Sequence, residues 1–247
     1  MAEKQDLIVN GKRLDGRKMD ELRPLRIEAN VLPNADGSAY AEWGNNKILA
    51  AVYGPKEALP KHTADSEKAV IKTRYSMAPF SSLDEHGRSG PNRRAIEISK
   101  VTNEVFENVI IREAFPGSEI DIYIEVLQAD GGTRAAGITT AAVALAASGI
   151  PMKDLPFAVS AGKAGTEIIL DLNYIEDSAS DADMPVAVSP RTGNVLLLQM
   201  DGNLTKDEVR KGLAMIKKAG ETISKIQKDA LRAPYERIMS KYDGDSK

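Results

Sequence analysis

A glycine turn that precedes a helix is the first place where this sequence offers an anion site. Gly131 and Gly132 follow an alternating apolar segment, and Thr133 and Arg134 then begin an alanine-rich stretch. Two glycines let the backbone approach a ligand closely, and the N–H groups at the start of a helix carry the positive end of its dipole. The segment GGTR therefore predicts anion binding. An ordinary strand-to-helix turn with a threonine cap is the alternative.

Two adjacent arginines at the start of another predicted helix form a second candidate site. Arg93 and Arg94 lie about 100° apart on a helix, so their guanidinium groups can contact two different phosphates. Cations at a helix N-terminus oppose the helix dipole, and an anion bound between them would relieve this. His86 and Arg88 lie just upstream. The alternative is a solvated face in which Arg93 pairs with Glu97, a contact of only about 0.2–0.5 kcal/mol.

Four acidic residues lie close together in the segment IEDSASDADMP, residues 175–185. They are Glu176, Asp177, Asp181 and Asp183. Carboxylates at this spacing can share a divalent metal, or one can raise the pKa of another so that it keeps a proton near neutral pH. The alternative is a solvated acidic loop between two strands. Phosphoryl transfer requires these three parts together: an anion-binding turn, paired arginines and clustered aspartates.

The composition limits the chemistry further. The chain of 247 residues has no cysteine and only two histidines, His62 and His86. These counts exclude disulfides and thiolate nucleophiles, and they argue against a zinc site or a Ser-His-Asp triad. The 33 lysines and arginines against 36 acidic residues give a net charge of −3. If RNA is the substrate, positive charge must therefore be concentrated in a local groove or supplied by a partner chain.

The sequence also predicts a cytoplasmic protein without membrane contacts. No apolar run approaches the roughly 20 residues that a membrane span needs. Residues 1–10 lack the basic and then apolar layout of a secretory signal. The absence of cysteine fits a reducing compartment.

Local patterns predict a mixture of strands and a few helical blocks. Strands are predicted over residues 22–32, 38–42, 47–53, 69–77, 120–127, 157–162, 167–172, 184–189 and 195–200. A helix is predicted over residues 92–114, with Pro91 and Asn92 at its start, and another from the GGTR turn to about Ser148. This arrangement favours an α+β fold, and no compositional linker divides the chain.

The C-terminal part is predicted to be one long charged helix. Thr205 and Glu208 have the spacing of a capping box, which would open this helix. Pro234 is expected to interrupt it, because proline lacks the N–H of a helical residue.

Six segments, in this order over residues 13–205, resemble the RNase PH family. They are RLDGRKMDELRPLRIE, LPNADGSAYAEWGNNKILAAVYGPKE, YSMAPFS, NRRAIEISK, IDIYIEVLQADGGTRAAGITTAA and IEDSASDADMP. Within that family, DGR, YGP and MAPFS resemble the active subunits of archaeal exosomes. The GGTR turn instead resembles bacterial RNase PH, since AGSR is expected in the archaeal subunits.

The resemblance implies a fold, an activity and partners. The fold is a pseudo-duplicated RNase PH-like domain of the ribosomal protein S5 domain 2 type, with residues 1–247 in one domain and a core at about 13–240. The activity is 3′-to-5′ degradation of RNA by phosphorolysis, with tail synthesis from nucleoside diphosphates in reverse. The partners are RNA, an inactive paralogue in a hexamer of three heterodimers, and RNA-binding cap proteins.

The resemblance also assigns roles to particular residues. Inorganic phosphate, the co-substrate, is expected to bind Arg94, Gly132, Thr133 and Arg134. Contacts with the RNA are expected from Arg93, which matches a residue that holds the RNA backbone, and from Lys61 and His62, which fall in a loop that narrows the pore of the ring.

The two aspartates that match the family are Asp177 and Asp183. Asp177 falls on the residue taken as catalytic, and Asp183 on its supporting acid or metal ligand. Mg²⁺ or Mn²⁺ is the expected metal if one is used, and both aspartates are candidate ligands.

Two other functions fit the same resemblance. One is a homohexameric RNase PH that trims tRNA 3′ ends. The other is a non-catalytic scaffold subunit that binds RNA and builds the ring, but the presence of both arginines, the GGTR turn and both aspartates argues against it.

Overall fold

The computed structural model describes residues 7–9, 11–82 and 93–244 of the chain. Its strands are β1 (Ile8–Val9), β2 (Lys12–Arg13), β3 (Leu25–Ala29), β4 (Gly37–Trp43), β5 (Asn46–Glu57), β6 (Val70–Met77), β7 (Ser118–Gln128), β8 (Phe157–Ala164), β9 (Glu167–Leu170), β10 (Ala182–Val188), β11 (Val195–Leu198) and β12 (Asp201–Gly202). Its α-helices are α1 (Arg93–Val109), α2 (Thr133–Ala147), α3 (Tyr174–Ala179) and α4 (Lys206–Gly244). Short 3₁₀ turns cover Lys61–Thr63 and Arg112–Ala114.

The first sheet has the strand order β3-β4-β5-β7-β6. Its pairs are antiparallel except that β6 and β7 run parallel, with α1 in the connection between them. The predicted alternation in β7 is confirmed, because Ile120, Ile122, Ile124 and Val126 are all fully buried. These β-branched residues suit a strand whose inner face packs against helices.

The second sheet has the order β11-β10-β8-β9, with β12 also paired to β10, and all its pairs are antiparallel. Helix α2 lies between the two sheets and contacts strands of both. Small residues allow the close approach: a Cβ on Gly37 of β4 would lie 2.3 Å from the Ala144 carbonyl oxygen. One hydrophobic core includes side chains from both sheets. The predicted α+β fold is confirmed.

Helix α4 begins as predicted but does not break where predicted. The Thr205 N–H donates to the Glu208 carboxylate at 2.7 Å, and the Glu208 N–H donates to Thr205 Oγ1 at 3.3 Å, which completes the capping box. The expected interruption at Pro234 is wrong, since the helix runs through this residue to Gly244. Proline fits the φ angle of a helix and removes a single backbone hydrogen bond, so the helix can continue past it.

Several predicted boundaries extend too far. The strand predicted over 22–32 is confined to Leu25–Ala29, and the helix predicted over 92–114 ends at Val109. Ile110 then forms a β-bridge with Met152, which takes the backbone out of the helix. The strand predicted over 195–200 ends at Leu198. Tertiary pairing, which local patterns do not encode, sets these ends.

The acidic segment 175–185 is not a loop between two strands. Its first part is helix α3, and β10 begins at Ala182. Asn173 caps α3 by accepting the Glu176 N–H at 3.0 Å, while the Glu176 carboxylate accepts the Asn173 N–H at 3.0 Å. This capping box gives the short helix a defined start.

Some predicted features lie outside the described residues, namely His86, Arg88, Pro91 and Asn92. In the part of the chain that is described, no helix combines the length and the apolar character needed to cross a bilayer.

Candidate active site

A cleft of about 590 Å³ opens where the N-terminal ends of α1 and α2 approach α3 and the start of β10. Its lining residues are Arg94, Glu97, Arg134, Asp177, Ser180, Asp181, Ala182, Asp183, Pro185, Gln199, Met200, Asp201 and Gly202. The cleft therefore joins Arg94, Arg134, Asp177 and Asp183, although they come from four separate elements. A larger groove of about 760 Å³ beside α4 contains none of the predicted site residues.

The glycine turn has a structural reason as well as a chemical one. Gly131 and Gly132 have φ angles of +70° and +67°. A Cβ on Gly131 would lie 2.6 Å from the Asn173 carbonyl carbon, so this glycine lets the turn pack against the segment before α3. Gly132 caps α2 without a side-chain hydrogen bond to the first turn. Because no side chain caps these N–H groups, the helix start suits an anion.

The Thr133 side chain braces the fold at this turn. It is buried, and its hydroxyl accepts a hydrogen bond of 2.8 Å from the Tyr75 hydroxyl. This contact ties α2 to β6. The Thr133 hydroxyl accepts this bond and keeps its own hydrogen as a donor, so the phosphate role of Thr133 stays a prediction.

Arg134 is held in the cleft by two neighbours. Its Nη1 donates to the Gln199 side-chain oxygen, and its Nη2 lies 3.6 Å from the Glu97 carboxylate. Gln199 in turn donates to Glu97 at 2.9 Å. The buried Arg134 Nε has no hydrogen-bond partner among the described residues. A buried donor without a partner is costly, so it fits a bound anion. Glu97 thus pairs with Arg134, and the alternative in which it pairs with Arg93 is wrong.

The two adjacent arginines occupy different positions relative to the cleft. Both are exposed at the start of α1, but Arg94 lines the cleft and Arg93 does not. Burial raises the pKa of the Asp177 carboxyl, and Arg94 lies close enough for its charge to oppose this rise. This divergence is the arrangement expected for two guanidinium groups that bind different anions.

The two predicted aspartates form an electrostatically coupled pair. Burial, together with the charge of Asp177, raises the pKa of Asp183 from 3.8 to about 7, against an opposing effect of Arg134. Burial also raises the pKa of Asp177, although Arg94 and Arg134 oppose the rise. The Asp183 Oδ1 atom is buried without a hydrogen-bond partner in the described structure. Near neutral pH the pair therefore retains a proton, and Asp183 is its favoured position.

The predicted cluster of four acids is only partly correct. Glu176 is fully buried and points to Arg13, whose Nε donates to it at 2.6 Å, so it does not share the cleft with Asp177 and Asp183. Within the described ranges, no group of three or more His, Asp or Glu side chains is arranged to hold a metal. Two carboxylates still fit Mg²⁺, which takes most of its other ligands from water and substrate phosphate.

The predicted pore residues lie far from this cleft. Lys61 and His62 are exposed in the 3₁₀ turn after β5, where Lys61 pairs with Glu57 at 3.1 Å. The opposite end of β5 is Asn46, whose side chain donates to the Gly131 carbonyl at 2.7 Å. A strand of 12 residues separates the two ends by on the order of 35 Å. The structure does not bring Lys61 and His62 to the cleft.

Two cleft residues were not anticipated from the sequence as partners of Arg134. Gln199 follows β11 and has no motif or spacing that marks it. Glu97 lies three residues after Arg94, on the same face of α1, but the sequence suggested Arg93 as its partner. Their roles emerge only when α1, α2 and the second sheet come together.

Comparison with known proteins shows the family to which the chain belongs. A model described as 3′ exoribonuclease family, domain 1, matches residues 21–151, and one described as domain 2 of the same family matches residues 154–219. The chain is 56% identical to the exosome complex component Rrp41 of Thermoplasma volcanium, over 91% of this chain and 90% of the relative. It is 51% identical to Rrp41 of Thermococcus kodakarensis, over 96% and 94%.

Solved structures show the same fold. Rice Rrp46 superposes with a TM-score of 0.80 at 25% identity, covering 89% of this chain and all of that one. A chain of the Archaeoglobus fulgidus exosome with RNA bound to the active site superposes with a TM-score of 0.76 at 22% identity, covering 87% and 92%. The fold is thus that of RNase PH-type subunits, and the chain belongs to the 3′ exoribonuclease family.

Proposed function

We propose that this chain is the catalytic subunit of an exosome and degrades RNA from the 3′ end by phosphorolysis. The observation that carries the proposal is the cleft itself, which brings Arg94 and Arg134 together with Asp177 and Asp183, two carboxyl groups whose pKa values burial raises. Cations and a proton source in one cleft suit the attack of a phosphate on a phosphodiester. The Rrp41 relatives, named as exosome components, support the assignment.

Inorganic phosphate would bind between the two cleft arginines and the start of α2. Arg94 lines one side, Arg134 offers its unpartnered Nε, and the N–H groups after Gly132 supply further donors. An oxygen of this phosphate attacks the last phosphorus of the RNA, and the bond from that phosphorus to the 3′-oxygen of the preceding nucleotide breaks. The products are a nucleoside diphosphate and an RNA shortened by one nucleotide. Catalysis is mainly positioning and charge stabilisation.

The leaving 3′-oxygen needs a proton or a metal ion, and the aspartate pair would supply the one or hold the other. Asp177 is the residue expected to assist the 3′-oxygen, and Asp183 beside it is the favoured holder of the proton near neutral pH. Because the bond made resembles the bond broken, the reaction is reversible and adds tails from nucleoside diphosphates. One carboxyl pair must serve both directions.

A divalent cation at the same pair is the alternative to the proton, because it would bind the ionised carboxylates. Mg²⁺ or Mn²⁺ would be held by Asp177 and Asp183 and would supply positive charge for the phosphate oxygens. The chain's own contribution is to keep two carboxylates on neighbouring elements beside Arg94 and Arg134.

RNA would be held mainly outside the phosphate site. Arg93 is exposed beside Arg94 and is proposed to bind the RNA backbone near the 3′ end. Lys61 and His62, at the far end of the first sheet, are proposed to contact RNA before it reaches the cleft. The net charge of −3 favours completion of the RNA path by other chains.

These other chains are proposed to be an inactive paralogue, in a hexamer of three heterodimers, and RNA-binding cap proteins. A homohexameric RNase PH that trims tRNA is the second candidate, and the bacterial-type GGTR turn favours it. Native mass measured with and without the paralogue separates the two. A stable hexamer of this chain alone would favour the second candidate.

The activity is tested by digesting 5′-labelled RNA with and without inorganic phosphate. Phosphorolysis predicts shortening only with phosphate and release of nucleoside diphosphates. Shortening without phosphate, with nucleoside monophosphates as products, would contradict it. The assay should include the assembled ring, because the chain alone is expected to have weak nuclease activity.

A further inference from the structure

Arg17 of the DGR segment lies outside the cleft and belongs to a buried ionic network that reaches α3, the helix that carries Asp177. Arg13, Arg17 and Arg23 are all buried. Their acidic partners include the buried Asp171 and Glu176, and Arg17 also pairs with Asp15 at 2.7 Å. Buried charges are expensive unless they are fully paired. This network pairs each of the three guanidinium groups with at least one carboxylate.

The Glu176 carboxylate is the centre of one half of this network. It is fully buried and accepts hydrogen bonds from Arg13 Nε at 2.6 Å and from the Asn173 N–H at 3.0 Å. Arg13 Nη2 also donates to it, and Arg17 Nη2 lies 3.5 Å away. Arg13 further donates to the Leu170 carbonyl at 2.5 Å. The segment that leads into α3 and the helix itself are therefore fixed to the same two guanidinium groups.

Helix α3 needs this support because it is short. Its six residues span only about 9 Å, and helices shorter than roughly 12 residues are marginal by themselves. Asp177 directly follows Glu176 on this helix. Its position in the cleft thus depends on the anchoring of its neighbour.

The other half of the network holds the glycine turn. The Asp171 carboxylate accepts hydrogen bonds from Arg23 Nη2 at 2.6 Å and from Trp43 Nε1 at 2.9 Å. Arg23 also donates to the carbonyls of Asp130 and Gly131, and the Asp130 carboxylate accepts the Tyr174 N–H at 3.1 Å. The same network consequently reaches both the turn and the start of α3.

We propose that Arg13 and Glu176 are positioning residues that set Asp177 at its place relative to the phosphate-binding turn. This inference rests on the proposed function. Neither residue lines the cleft. They act through α3, while Arg23 and Asp171 keep the turn in place.

The test compares Glu176→Gln with a matched control, Asp154→Asn. Asp154 accepts hydrogen bonds from the Ser189 hydroxyl and, at 2.9 Å, from the Arg191 N–H, at the end of β10 away from the cleft. Glu176→Gln should lower kcat on the order of 10- to 100-fold, as expected for a misplaced catalytic group, with KM for phosphate and RNA nearly unchanged. Asp154→Asn should lower thermal stability without changing kcat.

A double-mutant cycle separates positioning from general destabilisation. Glu176 acts through Asp177, so adding Glu176→Gln to Asp177→Asn should cost little further activity. Amide exchange of Tyr174–Ala179 should rise in Glu176→Gln and stay unchanged in Asp154→Asn. If Glu176→Gln does not fold, Arg13→Lys takes its place in the test. Lysine keeps the positive charge but cannot donate to both oxygens of the Glu176 carboxylate as Arg13 does, so kcat should fall by a smaller factor.

A folded Glu176→Gln protein with wild-type kcat would overturn the inference. The inference would also fail if the activity losses of Glu176→Gln and Asp177→Asn multiplied fully in the double variant. It would fail as well if kcat fell no more in Glu176→Gln than in Asp154→Asn. Failure of the proposed function would be distinguishable, because the wild-type protein itself would then show no phosphate-dependent shortening.

Discussion

Replacement of Asp183 by asparagine should stabilise the folded chain increasingly as the pH rises. The carboxyl has a pKa of about 7 in the fold against its ordinary value of 3.8, because it is buried beside Asp177. Below about pH 4 this carboxyl is protonated in both the folded and the unfolded chain, so its ionisation has no effect on stability. Between about pH 4 and pH 7 the unfolded state ionises first, so ionisation favours unfolding and the penalty is complete above pH 7.

The size of this effect follows from the shift. One pKa unit corresponds to about 1.4 kcal/mol, so the full penalty is at most about 4 kcal/mol. Most of this penalty, about 3 kcal/mol, develops as the pH increases from roughly 5 to roughly 8.5. Asparagine is close in size to aspartate and carries no charge. The variant should therefore gain stability relative to wild type across this range, by up to that amount.

Urea unfolding of the isolated wild-type and Asp183→Asn chains at about pH 5 and about pH 8.5, with a chelator present, measures the difference between their free energies of unfolding. Asp154→Asn is the control of opposite sign. Burial alone would raise the pKa of Asp154, but the Ser189 hydroxyl and the Arg191 N–H bring it below its usual value. Its replacement should therefore destabilise the chain almost equally at both pH values. A free-energy difference between wild type and Asp183→Asn that does not grow with pH would refute the reasoning.

Three further predictions concern activity. Arg94→Ala should raise KM for phosphate, whereas Arg93→Ala should mainly weaken RNA binding and reduce the slope of its salt dependence by about one; steady-state kinetics and binding at several salt concentrations check this, and identical effects on both substrates would contradict it. Asp177→Asn should reduce degradation and tail synthesis together, on the order of 10²- to 10⁴-fold, with RNA binding retained; near wild-type rates in a gel assay would return Asp177 to a structural role. Mixing the chain with its paralogue should raise activity, and full processive activity of the purified chain would oppose this.

Much of the scaffold of the site could be predicted from local sequence patterns. The alternation of Ile120 to Val126 and the apolar steps of α1 have periods that define a strand and a helix, and the glycines between β7 and α2 mark the turn. Each of these signals lies within a few residues. They place Arg94 and Arg134 on the correct kinds of element.

The rest depends on contacts between residues distant in sequence. Glu176 and Asp177 are neighbours, but one is bound to Arg13 in the interior and the other faces the cleft. Thr133 is predicted to bind phosphate, and its hydroxyl also accepts a hydrogen bond from Tyr75 that the sequence does not indicate. No spacing rule distinguishes these cases, because the partner comes from another part of the chain. Helix α3 itself was missed, although the Asn173 and Glu176 spacing of a capping box was present.

The central claim is that the cleft uses inorganic phosphate to break the terminal phosphodiester of RNA. The most direct measurement supplies phosphate labelled with ³²P to the assembled ring and unlabelled RNA, and follows the label in the products. Phosphorolysis predicts that the label appears in nucleoside diphosphates, at the phosphate farther from the ribose, and that release stops without phosphate. Unlabelled nucleoside monophosphates, released at the same rate with or without phosphate, would contradict the account.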